Sequence, residues 1–430
     1  MKHLSSFLLV YCIFSSLLSA QDTLRLSRVA CEEIFLRENL LMVAEKLNIS
    51  QAEALLAQAR LWPNPNISLE EVNLWATPGQ LEYFGEELPP FAGNVGRNTQ
   101  LSLSIEQLVL TAGKRKKLMA IEQVSVEMAK QYFEELLRGL KAEFRIQLTE
   151  LQYLQFYQQV YVSQLASIQQ LLGAYRRQVE QGNIGRGEYI RLKALELEFL
   201  KELNEISQQT LEARHGLKQL MRLPAETTLI VTEDGFIPDL ALFKSTAPAQ
   251  LAQMAINNRP DLKMAQLEGA YFTKVAAYEK AQRTPDLTLK GSYDRGGNFM
   301  LNFIGFGVGL DLPMFNRNQG NIRFAELGIE KSKILLNQKT LTVESEVFLA
   351  YQQLQNLIAL LEGIEQDYEN SLDTLLESYT RNFTQRNISL LEYLDFLDAY
   401  LDNKKIILET GRDLHQQLEE LYFTIGQDLN

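Results

Sequence analysis

One local pattern is written twice in this chain, and it limits the fold more than any single residue does. Tyr175, Gln181, Asn183, Ile184, Glu188 and Tyr189 are matched by Tyr379, Gln385, Asn387, Ile388, Glu392 and Tyr393, at a constant offset of 204 residues. Each copy interrupts a long helical periodicity that resumes after it. Helices of that length owe their stability to packing of an apolar face, so each needs a neighbour along its stripe. The pattern predicts two similar helical hairpins that form part of a larger tube.

Each half opens on an amphipathic helix, predicted from Ser27 to Arg60 and from Pro248 to Gln282. Each helix stops at a proline and passes into an alternating segment, Pro65-Asn66-Ile67-Ser68-Leu69 and Pro285-Asp286-Leu287-Thr288-Leu289. Proline ends a helix and biases the residue before it to extended backbone. A second strand follows in each half. Leu101, Leu103 and Ile105 alternate with Ser102, Ser104 and Glu106. Ile304, Phe306, Val308, Leu310 and Leu312 alternate with Gly305, Gly307, Gly309 and Asp311. Period two with one apolar face describes a half-wet sheet, either a soluble sandwich or a barrel with lipid outside and water inside. The loop from Trp75 to Arg97 resembles a long extracellular loop, and Asp294-Arg295-Gly296-Gly297 a tighter turn.

Long helices are predicted from about Gly113 to Gln181 and from about Gly320 to Gln385, each spanning roughly 100 Å at 1.5 Å per residue. Leu151, Leu154, Tyr161, Leu165, Ile168, Leu172, Tyr175 and Val179 keep heptad-like spacing, with Gln158 the polar exception. Tyr351, Leu354, Ile358, Leu361, Tyr368, Leu372, Leu375 and Tyr379 do the same, with Glu365 the exception. Phe199, Leu203, Ile206, Thr210, Ala213, Leu217 and Leu220 mark a return helix. Such seams predict antiparallel coiled-coil packing. The resulting division is a signal peptide (1–20), a first repeat (21–222), a connector (223–247) with a short strand at Thr228 to Val231, and a second repeat (248–430).

The first twenty residues read as a secretory signal. Lys2 and His3 precede the apolar run Phe7 to Leu18, and Leu18-Ser19-Ala20 offers a cleavage site before Gln21. Cys12 follows Tyr11 rather than a small residue, which argues against a lipoprotein cysteine. Cys31 is then the only cysteine left, so no internal disulfide framework exists, and it reads as a small buried residue. The formal net charge of −12 argues against nucleic acid as a partner. No stretch after the signal approaches twenty apolar residues, which leaves β-strands as the route into a membrane.

Four strands cannot close a barrel, and an open edge in lipid leaves backbone groups unpaired at several kcal/mol each. A membrane location therefore requires protomers to share one barrel. Two protomers supply eight strands and a filled interior; three supply twelve and room for water. The Gly and Ser residues on the second face favour the open version.

With Leu394-Asp395-Phe396-Leu397-Asp398-Ala399 added to the duplication and the Pro-to-strand boundaries, the chain resembles the outer membrane efflux protein family, the TolC-like channels. The resemblance covers essentially the whole mature sequence. It implies a homotrimer in the outer membrane of a Gram-negative bacterium. Four strands per protomer would build a shared twelve-stranded β-barrel that continues into a periplasmic α-helical coiled-coil barrel. The partners implied are outer-membrane lipid, a periplasmic adaptor protein and an inner-membrane pump of the resistance-nodulation-division type. The function implied is a passive exit duct for small solutes such as drugs or metal cations. Asp395 and Asp398 share a helix face, and the family pattern makes them acidic rings at the periplasmic entrance; otherwise they are a solvated face near a helix N-terminus. Gly182, Asn183, Ile184, Arg386, Asn387 and Ile388 form the reversals that the family uses as adaptor-contacting tips. Arg386 departs from the family, which commonly carries Gly at that place.

Lys114-Arg115-Lys116-Lys117, directly after a strand, suits either anionic head groups or a solvated first helical turn. Trp62, Trp75, Tyr83, Phe84 and Tyr293 near strand ends suit an aromatic girdle. Catalysis finds no support. His3 lies in the signal, His215 and His415 lie in helical pattern without metal spacing, and no phosphate loop or nucleophile elbow occurs. No enzyme activity and no cofactor are expected. Two rival readings remain: the outer-membrane duct of a type I protein-secretion system, and a periplasmic coiled-coil structural or interaction protein with a small soluble sheet.

Overall fold

The computed structural model describes residues 23–73, 100–232, 236–238, 240, 243, 246–295, 302–364 and 368–429. The predicted signal peptide, the Trp75–Arg97 loop with its aromatics, and Gly296-Gly297 lie outside the described residues. The elements in order are β1 (Thr23–Leu26), α1 (Arg28–Glu38), α2 (Leu40–Ala59), β2 (Asn66–Asn73), β3 (Gln100–Val109), α3 (Lys114–Glu180) and α4 (Arg186–Met221). Then follow β4 (Thr228–Val231), α5 (Pro248–Asn258), α6 (Pro260–Ala281), β5 (Leu287–Arg295), β6 (Asn302–Leu310), α7 (Gln319–Glu362), α8 (Tyr368–Thr384) and α9 (Leu390–Ile425). Among the described residues, no helix is long and apolar enough to cross a membrane.

Two compact units result, and each draws on both halves of the chain. One comprises the described parts of Met1–Lys46, Phe133–Pro260 and Thr340–Asn430; the other comprises those of Leu47–Tyr132 and Asp261–Lys339.

In the first unit the predicted seams form the core. Leu151, Leu154, Ile168, Leu172, Phe199, Ile206, Leu217, Leu354, Ile358 and Leu372 are all buried. Leu375, read as a seam residue, is instead exposed, and its neighbour Leu376 is buried in its place. Cys31 is fully buried in α1, near the stacked pair Phe35–Phe144. Strand β4 forms where predicted, and it pairs in parallel with β1, which the sequence pattern did not mark.

The second unit holds the antiparallel sheet β2-β3-β5-β6. Its register places Ile67, Ile105, Gly291 and Phe306 in one row and Leu69, Leu103, Tyr293 and Ile304 in the next. Because side chains alternate along each strand, these rows share one face. That face is apolar yet exposed, with Phe306 90% accessible. The opposite face carries Ser68, Ser104, Ser292 and Gly305 in one row and Glu106, Lys290 and Gly307 in another. The Ser68 and Ser104 hydroxyls are hydrogen-bonded at 2.7 Å, and Lys290 Nζ lies 2.9 Å from Glu106 Oε1. Strands β2 and β6 are the sheet's edges.

Three helices predicted as continuous are divided. Asn39 separates α1 from α2: its Oδ1 accepts from the backbone N–H groups of Leu41 and Met42, at 3.0 and 3.1 Å. Those bonds cap α2 and begin a new axis. Pro260 starts α6 after Arg259, since proline has no N–H to continue α5 and restricts the residue before it. The long helix predicted to Gln385 ends at Glu362, and α8 starts at Tyr368. Gly363, a poor helix former, follows directly, and Glu365, the polar exception in the predicted seam, lies outside the described residues.

Positive-φ residues mark the helix ends in pairs. Arg222 (φ 54°) and Gly426 (φ 83°), also 204 residues apart, terminate α4 and α9. A Cβ on Gly426 would lie 3.1 Å from Arg259 Cα, so glycine is needed there for space as well as for backbone conformation.

Candidate functional site at the helical reversals

The two reversals are built alike, bond for bond. At the first, the N–H groups of Gln181, Gly182 and Asn183 donate to the carbonyls of Arg177, Val179 and Gln178, at 3.1, 3.0 and 2.9 Å. At the second, those of Gln385, Arg386 and Asn387 donate to Arg381, Phe383 and Asn382, at 3.0, 3.0 and 2.9 Å. These bonds satisfy the last carbonyls of α3 and α8 through a left-handed residue, Gly182 (φ 73°) or Arg386 (φ 61°). Arg386, standing where the first copy has Gly182, therefore leaves the turn unchanged.

The side chains repeat as well. Asn183 Nδ2 donates to Gln178 Oε1 (2.9 Å) and Gln181 Oε1 (3.2 Å). Asn387 Nδ2 donates to Asn382 Oδ1 (3.3 Å) and Gln385 Oε1 (3.2 Å). Ile184 and Ile388 are half-buried beside these exposed turns.

Aromatic stacking joins the two hairpins just behind their tips. Tyr175 stacks on Phe383 with ring centroids 5.7 Å apart, and Phe383 stacks on Tyr393 at 4.7 Å. Tyr379 stacks on Phe396 at 4.0 Å. Burial raises the Tyr175 pKa; Glu188 adds to the rise and Arg386 opposes it. Burial also raises that of Tyr393, against the Thr380 hydroxyl. Arg386 Nη2 donates to Gln178 Oε1 at 3.2 Å, so that oxygen accepts from both tips. Tyr189, like Tyr379, is partly buried against the core that holds Tyr393.

The starts of the return helices differ. Gly185 caps α4 without a side-chain bond. Ser389 caps α9 in a reciprocal pair: its Oγ accepts from Glu392 N–H at 3.3 Å, and Glu392 Oε2 accepts from Ser389 N–H at 2.8 Å. These bonds, the backbone one first, hold the Glu392 carboxyl below the usual glutamate range. Glu188, its counterpart on α4, is exposed.

Asp395 and Asp398 lie on the first turns of α9, both exposed, while Tyr393 and Leu397 face the core. Among the described residues no salt bridge reaches either aspartate. Glu392 and Asp402 are exposed on the same helix, so the acidic face runs further than the two aspartates named from sequence. One helical turn deeper the charges are paired instead. The buried Lys404 Nζ contacts Glu369 and Asp373, each at 2.9 Å, and Tyr400 donates to Asp373 at 2.9 Å. Phe383 and Gln178 escaped the sequence reading because neither belongs to the repeated motif; Phe396 lies inside the quoted Leu-Asp-Phe-Leu-Asp-Ala segment. Among the described residues no group of three or more His, Cys, Asp or Glu could hold a metal ion.

Residues 251–427 match the family model described as outer membrane efflux protein. The chain is 26% identical over 159 residues to the cobalt-zinc-cadmium resistance protein CzcC of Cupriavidus metallidurans, covering 37% of each protein. It is 24% identical over 228 residues to nodulation protein T of Rhizobium leguminosarum bv. viciae, covering 51% of this chain and 46% of that one. The aligned parts thus span less than half the length of these curated relatives. Solved structures match over almost the whole chain. Crystal structures of CusC, described with transmembrane channel formation, superpose with TM-score 0.69 at 17% identity, over 93% of this chain and 91% of that one. The Campylobacter jejuni CmeC outer membrane channel superposes with TM-score 0.70 at 14% identity, over 92% and 84%. The protomer fold is the one these channels have.

Proposed function

We propose that this chain, whose residues 251–427 match the outer membrane efflux protein family model, is the passive outer-membrane exit duct of a tripartite efflux pump. One observation carries the reading. The four-stranded sheet exposes a continuous apolar face, has a polar, small-residue face behind it, and ends in two edge strands. A sheet of that kind suits lipid only when its edges are paired by other copies. Three copies supply twelve strands and a wet lumen.

In this reading the protein is a homotrimer in the outer membrane, and its helical part extends into the periplasm. Residues 1–20 direct export, and 21–222 and 248–430 are repeats joined by 223–247. The reversals at Gly182-Asn183-Ile184 and Arg386-Asn387-Ile388 meet a periplasmic adaptor, which links the duct to an inner-membrane pump of the resistance-nodulation-division type. Three-fold symmetry turns Asp395 and Asp398 into carboxylate rings at the entrance, which favour cations. The similarity to a cobalt-zinc-cadmium resistance protein supports metal cations among the small solutes carried. The duct performs no chemistry; the pump supplies the energy.

The test is membrane fractionation, sizing in mild detergent and recording in a planar bilayer. A membrane-bound species of three chains that conducts ions is the expected result. A monomer or dimer that stays soluble without detergent would overturn the barrel and favour a periplasmic coiled-coil scaffold.

A further inference from the structure

At one end of the sheet, where β5 begins and β6 ends, Arg283, Phe315, Arg317, Gln319, Ile322, Arg323 and Glu326 line an open-sided cavity of about 300 Å³. All three guanidinium groups are exposed, and among the described residues no salt bridge neutralises them. The one acid in the wall, Glu326, is already engaged by Lys280 at 3.0 Å. The site therefore carries a strong local positive charge on a chain whose net charge is −12. Unpaired like charges held together raise each other's energy, and an anion relieves that cost.

Apolar surface continues from the sheet into this cavity. Beyond Leu310 the chain exposes Leu312, Met314 and Phe315, and Phe315 is 95% accessible. Those residues extend the exposed apolar face of β6 up to the arginines. A free anion has no use for such a surface, whereas a lipid presents a charged head directly above an apolar tail.

The first half places the same combination at the same sheet end, where β2 begins and β3 ends. Trp62 is exposed there, and the Arg115 guanidinium stacks on its ring at 4.0 Å. Exposed aromatic rings with arginines at one level of a sheet are the arrangement that suits a membrane–water boundary. The basic run read from sequence contributes less than its four charges suggest. Lys114 is buried, bonded to Asp286 at 2.7 Å and to the Thr284 carbonyl at 2.8 Å.

We propose that Arg283, Arg317 and Arg323, with Phe315, form a binding site for the phosphate head group of an anionic phospholipid in the periplasmic leaflet of the outer membrane. The proposal rests on the reading that the apolar face of the sheet lies in lipid.

The experiment uses the purified full-length protein in mild detergent and counts bound lipid per chain by native mass spectrometry. The probes are short-chain phosphatidylglycerol, phosphatidylcholine of the same chain length, and inorganic phosphate. The wild type binds phosphatidylglycerol in preference to phosphatidylcholine. The variant R283Q/R317Q/R323Q loses that preference while remaining a trimer, with affinity lowered about fivefold per arginine and about a hundredfold for the three. Phe315→Ser weakens phosphatidylglycerol without changing competition by phosphate. A triple variant that still prefers phosphatidylglycerol overturns the proposal. So does displacement of lipid by inorganic phosphate at equal concentration, which marks a free-anion site. Dissociation of the variant to monomers also overturns it, because the arginines then face a second copy of the chain. A wild-type protein that stays soluble without detergent overturns the duct reading as well. An embedded, conducting trimer blind to head-group charge overturns the lipid site alone.

Discussion

Asn39 and Arg259 hold corresponding posts in the two repeats and tie down corresponding carbonyls. They are 220 residues apart, the same offset as Pro65 and Pro285. Asn39 Nδ2 donates to Leu220 O at 3.0 Å, and Arg259 Nη1 donates to Thr424 O at 3.2 Å. Leu220 and Thr424 are themselves 204 apart, the offset of the tips. Each repeat thus breaks its entry helix at a buried polar residue and uses that residue to cap the far end of its return helix. The chemistry differs, an amide in one and a guanidinium in the other, while the geometry is shared.

Asn39→Ala removes two bonds to the start of α2 and leaves a buried carbonyl unsatisfied. The expected loss is about 2–3 kcal/mol. It is read as a lowered denaturant midpoint of the purified protein, with an exposed control such as Asn204→Ala changing stability by no more than about 0.5 kcal/mol.

Arg386→Gly relieves a left-handed backbone that costs an L-residue about 1 kcal/mol. The exposed bond to Gln178 that is lost contributes little. A net gain of about 0.5–1 kcal/mol is expected, against a loss for Gly182→Ala at the matching position. Equilibrium unfolding of both variants checks the pair.

Gly328→Ala in α7 forces a side chain where it would lie 2.3 Å from Phe272 Cδ1. Overpacking of this kind costs about 1–3 kcal/mol. Phe272→Leu in the same chain restores most of the loss, which thermal unfolding of single and double variants would resolve.

His415 is held neutral. Burial lowers its pKa first, nearby Arg28 adds to this, and a backbone bond at Phe236 opposes it, for a net value pushed down to about 4. The ordinary value is 6.5. The folded pKa is therefore the lower one, and between pH 6.5 and about 4 the unfolded chain binds the extra proton. Stability from this group falls as the pH drops through that window and levels off below it. His415→Gln flattens the pH profile of the melting temperature over the same interval; an unchanged slope contradicts the assignment.

On the proposed duct with acidic rings at its entrance, Asp395→Asn with Asp398→Asn is expected to lower the permeability ratio of cations to anions in bilayer recordings. The effect is largest in dilute salt and fades near 1 M, where the screening length contracts to about 3 Å. Neither side chain packs on the core, so the stability of the folded protein stays unchanged.

The periodic features of the fold were legible in the sequence. Period-two alternation located all four strands of the large sheet, and the heptad seams located the buried stripes. What escaped depends on partners distant in the chain. Asn39 lies among good helix formers, and only the Leu220 carbonyl explains why the helix turns there. Lys114 belongs to a basic run in the sequence, whereas its partner Asp286 lies far along the chain. The break before Pro260 is different, since the proline was visible and the periodicity on both sides of it concealed its effect. At the tips the repeated motif identified the turns, but Phe383, which joins Tyr175 to Tyr393, has Val179 as its counterpart and so left no mark in the repeat.

The two edge strands of the large sheet carry a consequence for inheritance. In the proposed shared barrel, a protomer that pairs through both β2 and β6 must find a sound partner on each side. A chain whose β6 cannot pair would enter a ring and spoil it for its sound neighbours. Substitution of proline along β6 should therefore behave as a dominant lesion when co-expressed with the intact gene, whereas loss of the whole chain should be recessive.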